Sequence, residues 1–485
     1  MSVLAEQIET ARRVSTLAIE GRVASAAGLT IQAKGIPAPV GSMCEIITGP
    51  DRVIRAEVIG FQKETTLLMP LSEIEGLASG QRVRHVTSSQ KVPVGPSLLG
   101  RVVNAMGVPM DGGGPLSVDS YYPLHRPAPE AMGRPRIDAP LSVGIRSINA
   151  LTTIGLGQRV GVFAGTGVGK SVLLGMMARY TSADVCVIAL VGERGRELQD
   201  FIAKDLGTEG MRRSVVVVAT SDESPPMRLR ATFAATAVAE YFRDQGANVL
   251  LLVDSITRMA MAARQIGLAA GEPPATKGYP PSVFAAMPRL LERSGRTEQG
   301  SITGLYTVLV EGDDLNDPVS DAARGILDGH IVLSRKLANR GLYPAVSVLD
   351  SISRVMTDVV NAEHVRAAQR VKRMMAVWDE IEDLVNIGAY AAGTNPEFDM
   401  VIRMRPALEE FMRQDVSQGV DSAAAAADLL ELSARMDESP AKVTSEPGGP
   451  GRGVVGQAKA GGAATRVANA NRANSNGKPA ARRGS

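Results

Sequence analysis

The stretch Arg159-Val-Gly-Val-Phe-Ala-Gly-Thr-Gly-Val-Gly-Lys-Ser171 combines the residue types needed to hold a polyphosphate. An apolar run enters a turn made of Gly165, Thr166, Gly167, Val168 and Gly169, then leaves through Lys170 and Ser171 into a helical pattern. A loop that wraps phosphate with backbone N–H groups needs positive φ angles and close approach of the main chain, which Gly165, Gly167 and Gly169 permit. The phosphates would then lie at a helix N-terminus, where unpaired N–H groups and the helix dipole favour anions. In such a P-loop the lysine, Lys170, reaches the β- and γ-phosphates, and the hydroxyl of Ser171 ligates Mg²⁺. One position departs from the usual pattern: Ala164 stands where the first glycine is expected, and it fits only if its φ is negative.

Two acids complete a triphosphate-cleaving set. The apolar run Val249-Leu-Leu-Leu-Val-Asp254 ends in a carboxylate that would face the loop at the C-terminal edge of a sheet, where ligands bind in open α/β folds, and would hold the metal. Glu193, in Gly192-Glu-Arg-Gly-Arg-Glu197, follows another apolar run over 184–191 and would emerge at the same edge. A carboxylate beside a γ-phosphate can polarise the attacking water. Read alone, Glu193 is equally well half of a surface ion pair.

These residues need a rigid carrier. Apolar strand candidates at 159–164, 184–191, 214–219, 248–254, 302–310 and 329–333, with helical patterns at 169–180 and 227–243, predict a parallel sheet buried on both faces. Before it, short β-rich runs separated by Gly and Pro over 21–96 predict a small barrel. After it, residues 366–437 lack strand runs and read as a helical domain. Leu4, Ile8, Ala11, Val14 and Ala18 recur at helical spacing, so residues 1–20 are expected to hold an amphipathic helix, packed on the chain itself or docking a partner. The stretch 438–485, rich in Gly, Ala, Pro and Asn, cannot bury enough surface to offset ordering and is expected to be a disordered basic tail.

Composition removes several functions. The net charge of +2 is uneven: residues from Pro440 onward carry eight Lys or Arg against the single acid Glu446, which leaves −5 for the rest. A mildly acidic body without an aromatic-basic surface does not suit nucleic acid, RNA translocation included. Two cysteines, Cys44 and Cys186, exclude a disulfide framework and fit a reducing cytoplasm. The four histidines show no ligand spacing. Neither a bilayer-spanning run nor a secretory signal is visible.

Several further stretches now carry a resemblance. Gly157-Gln-Arg-Val-Gly-Val-Phe-Ala-Gly-Thr-Gly-Val-Gly-Lys-Ser171, Val191-Gly-Glu-Arg-Gly-Arg-Glu197, Ala269-Ala-Gly-Glu-Pro-Pro274 with Gly278-Tyr-Pro-Pro-Ser-Val-Phe284, Tyr306-Thr-Val-Leu-Val-Glu-Gly-Asp-Asp314 and Ile326-Leu-Asp-Gly-His330 resemble the type III secretion ATPases, relatives of the catalytic subunit of rotary ATP synthases. The likeness covers about residues 20 to 435. Gly175-Met-Met-Ala-Arg-Tyr-Thr, Ala270-Gly-Glu-Pro-Pro-Ala-Thr-Lys-Gly-Tyr279 and Asn386-Ile-Gly-Ala-Tyr390 look like the flagellar branch, although virulence injectisome ATPases share most of this text. The resemblance implies a RecA-like P-loop core over 97–365 that hydrolyses ATP with Mg²⁺ in a homohexameric ring. It implies Glu193 as catalytic glutamate, Arg194 near the γ-phosphate, Tyr343 packing on adenine, Arg354 as an arginine finger given to the neighbouring subunit, and Arg258 near phosphate. Lys170 acts within the same catalytic set. Implied partners are a negative-regulator or stator-like export protein at the N-terminal helix, membrane proteins of the export gate and chaperone-bound export substrates. The implied location is the cytoplasm, peripherally at the inner-membrane export apparatus. A non-catalytic nucleotide-binding scaffold is the alternative of another class. Gln265 replaces a Glu common in the family, and the tail after about 439 has no counterpart in it.

Overall fold

The structure, a computed structural model, describes residues 19–310 and 317–437. The helix expected over 1–20 and the basic tail fall outside those residues, except that Glu20 already opens a strand. Strands Glu20–Ala27, Thr30–Lys34, Met43–Ile47, Val53–Gln62, Thr65–Pro70 and Arg82–Thr87 close into a six-stranded antiparallel barrel. Alternation decides which face turns inward: in Val53–Gln62, Ile54, Ala56 and Val58 are buried, while Val53 and Arg55 are exposed. Ile31, Ile46, Leu68 and Val83 fill the interior with them. Cys44 lies in this core and Cys186 in the central sheet; both are free, and burial pushes each thiol up to about 11.

The central sheet has the order Val346–Ser353, Gly329–Leu333, Arg159–Ala164, Ser301–Leu309, Asn248–Asp254, Val185–Glu193, Ser214–Thr220, Val102–Asn104. Neighbours run parallel, apart from the edge strand Val346–Ser353 and the short Gly295–Arg296 beside Ser301–Leu309. Both faces are covered, as continuous Val/Ile/Leu strands require. Cys186, Ile188 and Leu190 of one strand join the core under helix Lys170–Tyr180 and the C-terminal helices. Val187, Ala189 and Val191 of the same strand join the core under helices Pro225–Asp244 and Ile256–Ala269.

Helices Ala362–Asn386, Pro396–Met412 and Ser422–Arg435 form the C-terminal part, each started by a side-chain cap from Asn361, Asn395 or Asp421. The first is tied to the connection between strands Gly329–Leu333 and Val346–Ser353 by Glu382, whose carboxylate accepts from Lys336 at 2.7 Å and Arg340 at 2.6 Å. Among the described residues no helix is long and apolar enough to cross a membrane.

One fully buried ion pair holds the helical layer to the sheet's approach segment. Arg293 donates to both oxygens of Glu240 at 2.9 and 2.7 Å and to the carbonyl of Leu124 at 2.7 Å, with both side chains 1% exposed. Glu240→Ala leaves that guanidinium uncompensated and is expected to cost about 3–5 kcal/mol. Denaturant titration checks this: the midpoint falls markedly, whereas an unchanged midpoint would mean that water reaches Arg293.

Candidate functional site

The site forms where three parallel strands end at one edge. Strand Arg159–Ala164 runs into the glycine-rich turn, and helix Lys170–Tyr180 leaves it. Gly167 (φ 79°) and Gly169 (φ 85°) take the left-handed conformation, and Gly169 is the residue from which the helix starts. Gly165 does not use that freedom. Ala164 sits in the strand with negative φ, which is why alanine fits there. Val168 is buried and pins the turn to the core, while Thr166 and Ser171 are exposed.

Lys170 reaches back across the turn. Its Nζ lies 2.5 Å from Asp254 Oδ1 and 3.7 Å from Glu193 Oε1. Asp254 ends its strand nearly buried, and the hydroxyl of Thr307 on the adjacent strand donates to the same Oδ1 at 2.6 Å. Glu193 is brought in by an irregularity: the pairing of Val185–Glu193 with Ser214–Thr220 slips between Val191 and Glu193. At that slip Gly192 has φ 71°, and a Cβ there would lie 2.7 Å from Arg258 Cδ. Glycine is therefore required by both conformation and space. Arg258, near the start of helix Ile256–Ala269, donates to Gly192 O at 2.5 Å and lies 3.4 Å from Glu193 Oε1.

Burial pushes the Glu193 carboxyl up to about 7. Lys170 and Arg258 oppose the rise, whereas Asp254 and a hydrogen bond with Glu197 add to it. A carboxyl balanced near neutrality can accept a proton from water and release it again. As for the metal, a serine hydroxyl and a buried carboxylate are hard oxygen donors, which fit Mg²⁺ bound mainly through substrate phosphates and few protein ligands. Among the described residues no cluster of three His, Cys, Asp or Glu offers a self-sufficient metal cage.

Tyr343 lies on the far side of the loop from Glu193's strand. Its ring packs over Gly169, and with Val168, Val172, Leu333, Pro344 and Val416 it lines a cleft of about 370 Å³ beside the turn. Two predicted residues stand apart. Arg194 is 78% exposed, with its guanidinium 3.5 Å from Glu197 rather than in the Lys170 cluster. Arg354 is exposed and follows the edge strand at the opposite margin of the sheet, where its N–H donates to Asp328 O and the N–H of Asp328 in turn to Arg159 O. Arg159 begins the six-residue strand that feeds the loop, so Arg354 lies about 20 Å from the turn of its own chain.

Several supporting residues escape sequence reasoning. Arg335 donates to Thr166 O at 3.3 Å, bracing the loop's apex. Gln414 fixes the wall of the cleft: its backbone N–H donates to Tyr343 O, and its side chain bonds Gly144 and Arg146. Nothing local marks Gln414, because those side-chain partners lie 270 and 268 residues away in the chain. Thr307 had a signal: it is a polar residue in a buried strand, inside a stretch already noted for its resemblance.

The architecture and the site meet in one class. Residues 144–353 match the nucleotide-binding domain of the ATP synthase alpha/beta family, and residues 23–86 match that family's beta-barrel domain. The chain belongs to this family and is an ATPase of it. Residues 360–431 match the T3SS EscN ATPase C-terminal domain, which sets the branch. A flagellum-specific ATP synthase of Pseudomonas aeruginosa is 52% identical over 85% of this chain and 93% of its own length. The flagellum-specific ATP synthase of Bacillus subtilis is 52% identical over 82% of this chain and 91% of its own. A type 3 secretion system ATPase of Xanthomonas euvesicatoria is 47% identical over 87% and 95%. The assembled ATPase EscN of the enteropathogenic E. coli type III secretion system superposes with a TM-score of 0.81 at 42% identity, covering 85% of this chain and all of EscN's.

Proposed function

We propose that this chain hydrolyses ATP with Mg²⁺ in a homohexameric ring and thereby energises protein export through the flagellar type III secretion apparatus. The observation that carries the chemistry is the convergence of Lys170, Asp254 and Glu193 at the mouth of the glycine-rich turn. The loop amides from Gly165 to Lys170 grip the triphosphate, and Lys170 turns from Asp254 to its terminal oxygens. Ser171 and Asp254 would hold Mg²⁺, which supplies charge neutralisation at the β- and γ-phosphates when bound. Glu193 takes up the proton of the attacking water, and Arg258 holds Glu193 and its glycine neighbour in place. Tyr343 packs on the base. Arg354 enters the site of the adjacent copy, a role supported by its exposure and by its distance from its own loop. Arg194, exposed beside Glu197, swings toward the γ-phosphate only in that assembled state.

Ring assembly is supported by the related EscN structure, which is that of an assembled ATPase, and by a second structure of EscN in complex with its central stalk EscO. By analogy this chain assembles with itself and with a stalk-like or negative-regulator export protein, the latter at residues 1–20. Chaperone-bound export substrates and the membrane proteins of the export gate are its further partners, at the cytoplasmic side of the inner membrane. The flagellar reading is favoured over the injectisome because three of the flagellum-specific relatives share 50–52% identity with this chain.

The pH profile of phosphate release tests Glu193. A general base works as the carboxylate, and its value near 7 in the free enzyme appears in kcat/KM. Activity at saturating Mg²⁺ should therefore rise about tenfold from roughly pH 6 to pH 8 and level off above. A flat profile across that window would remove Glu193 from the proton-accepting role.

A further inference from the structure

We infer that Gln158 is a positioning residue for the arginine finger: its buried amide fixes the root of Arg354, and so acts on the site of the adjacent copy rather than on its own loop. The inference deepens the proposed function and rests on its placement of Arg354 in the neighbouring site. Gln158 is 0% exposed, in the tight turn that opens strand Arg159–Ala164. Both ends of its amide are engaged. The oxygen accepts from Gly155 N at 2.8 Å, which settles the way the group faces. The nitrogen then donates to Asp328 O at 3.1 Å and to Ser353 Oγ at 3.2 Å.

Both acceptors belong to the root of the finger. Asp328 O is the carbonyl that also takes the N–H of Arg354, at 3.0 Å. Asp328 is itself held, because its carboxylate takes two bonds from the Arg159 guanidinium at 2.9 and 3.1 Å. Ser353 precedes Arg354, pairs with Gly329 across the strands and donates its hydroxyl to Thr153 O at 2.7 Å. The packing leaves no slack: a Cβ at Gly329 would lie 2.5 Å from Ile352 O and 3.1 Å from Gln158 Nε2. Arg354 itself is exposed, and among the described residues its guanidinium makes neither hydrogen bond nor ion pair. The aim of the finger therefore depends on its root. A misplacement of about 1 Å in a group that meets the transition state costs about 10²-fold in rate.

The test mixes full-length chains in equal amounts where rings form, with ring formation checked by mass. Gln158→Met keeps the length of the side chain and removes the amide. Alone it should lose about 10- to 100-fold in kcat, with KM for ATP within about threefold of the parent. Mixed with Lys170→Ala, whose finger and Gln158 are intact, it should recover to about a quarter of the parent rate. Mixed with Arg354→Ala it should gain nothing over the two proteins alone, since neither then supplies a well-aimed finger. Recovery with Arg354→Ala instead would place Gln158 behind its own loop and overturn the inference, as would recovery with both partners or with neither. The mixture of Lys170→Ala and Arg354→Ala separates this from the reading beneath it. If that pair forms rings and stays inert, the shared site falls and the inference with it; if that pair recovers while Gln158→Met gives the wrong pattern, the inference falls alone. Ser353→Ala, which leaves Gln158 bonded to Gly155, carries the same two mixtures with the same expected results should Gln158→Met fail to fold.

Discussion

Arg354→Ala is expected to lower ATP turnover by about 10³–10⁵, with ATP affinity little changed. The size of the effect follows from what the guanidinium meets. Charge spreads over the three equatorial oxygens of the γ-phosphoryl group as its bond to the leaving oxygen lengthens, and a second cation beside Lys170 acts mainly on that charge. Within one chain Arg354 cannot supply it, since it follows the edge strand and lies on the margin of the sheet away from the loop. A dispersed parent protein should then resemble the variant, and its specific activity should climb with protein concentration as copies associate. Steady-state phosphate release across the assembly range checks both statements. Equal rates for parent and variant, or a flat concentration profile, would confine catalysis to one copy.

Glu193→Gln is expected to cut kcat by about 10²–10⁴ with binding largely retained. Glutamine keeps the length of the side chain and its place near Lys170 and Arg258, so the cradle for phosphate survives. What disappears is the basic oxygen proposed to accept water's proton. The substitution also relieves a buried charge. A carboxyl whose value is raised to about 7 in the fold contributes most to stability below the ordinary carboxylate range, and that contribution is lost as pH rises through 7. Above that point the glutamine variant should be at least as stable as the parent. Turnover and equilibrium binding of ATP, measured on one preparation, separate the two effects; a normal rate would dismiss Glu193 from the chemistry.

Much of this arrangement is legible in the residues themselves, for identifiable reasons. Buried parallel strands read as unbroken apolar runs, so Arg159–Ala164, Asn248–Asp254 and Gly329–Leu333 have the limits their hydropathy predicts. The alternation of the barrel strands is equally plain. Val346–Ser353 is hidden because it is an edge strand with Ser347, Asp350, Ser351 and Ser353 along it, and Val102–Asn104 because three residues make no pattern. Lys170 and Asp254 are visible as the terminal residues of local motifs. Glu193 is ambiguous on its own, since its raised carboxyl value comes from burial and from neighbours on other elements. Gln414 and Arg335 are silent in the sequence for the same reason: what they do depends on main-chain carbonyls brought near by folding.

The central claim is that each ATP is gripped by the loop of one copy and finished by Arg354 of the next. Mixing two inactive proteins tests it most directly: Lys170→Ala lacks the grip, and Arg354→Ala lacks the finger. In a mixed head-to-tail ring about a quarter of the interfaces pair an intact Lys170 with an intact Arg354. Phosphate release should reappear at about that fraction of the parent rate when the two are combined. Mixed rings that form and remain inert would contradict the account.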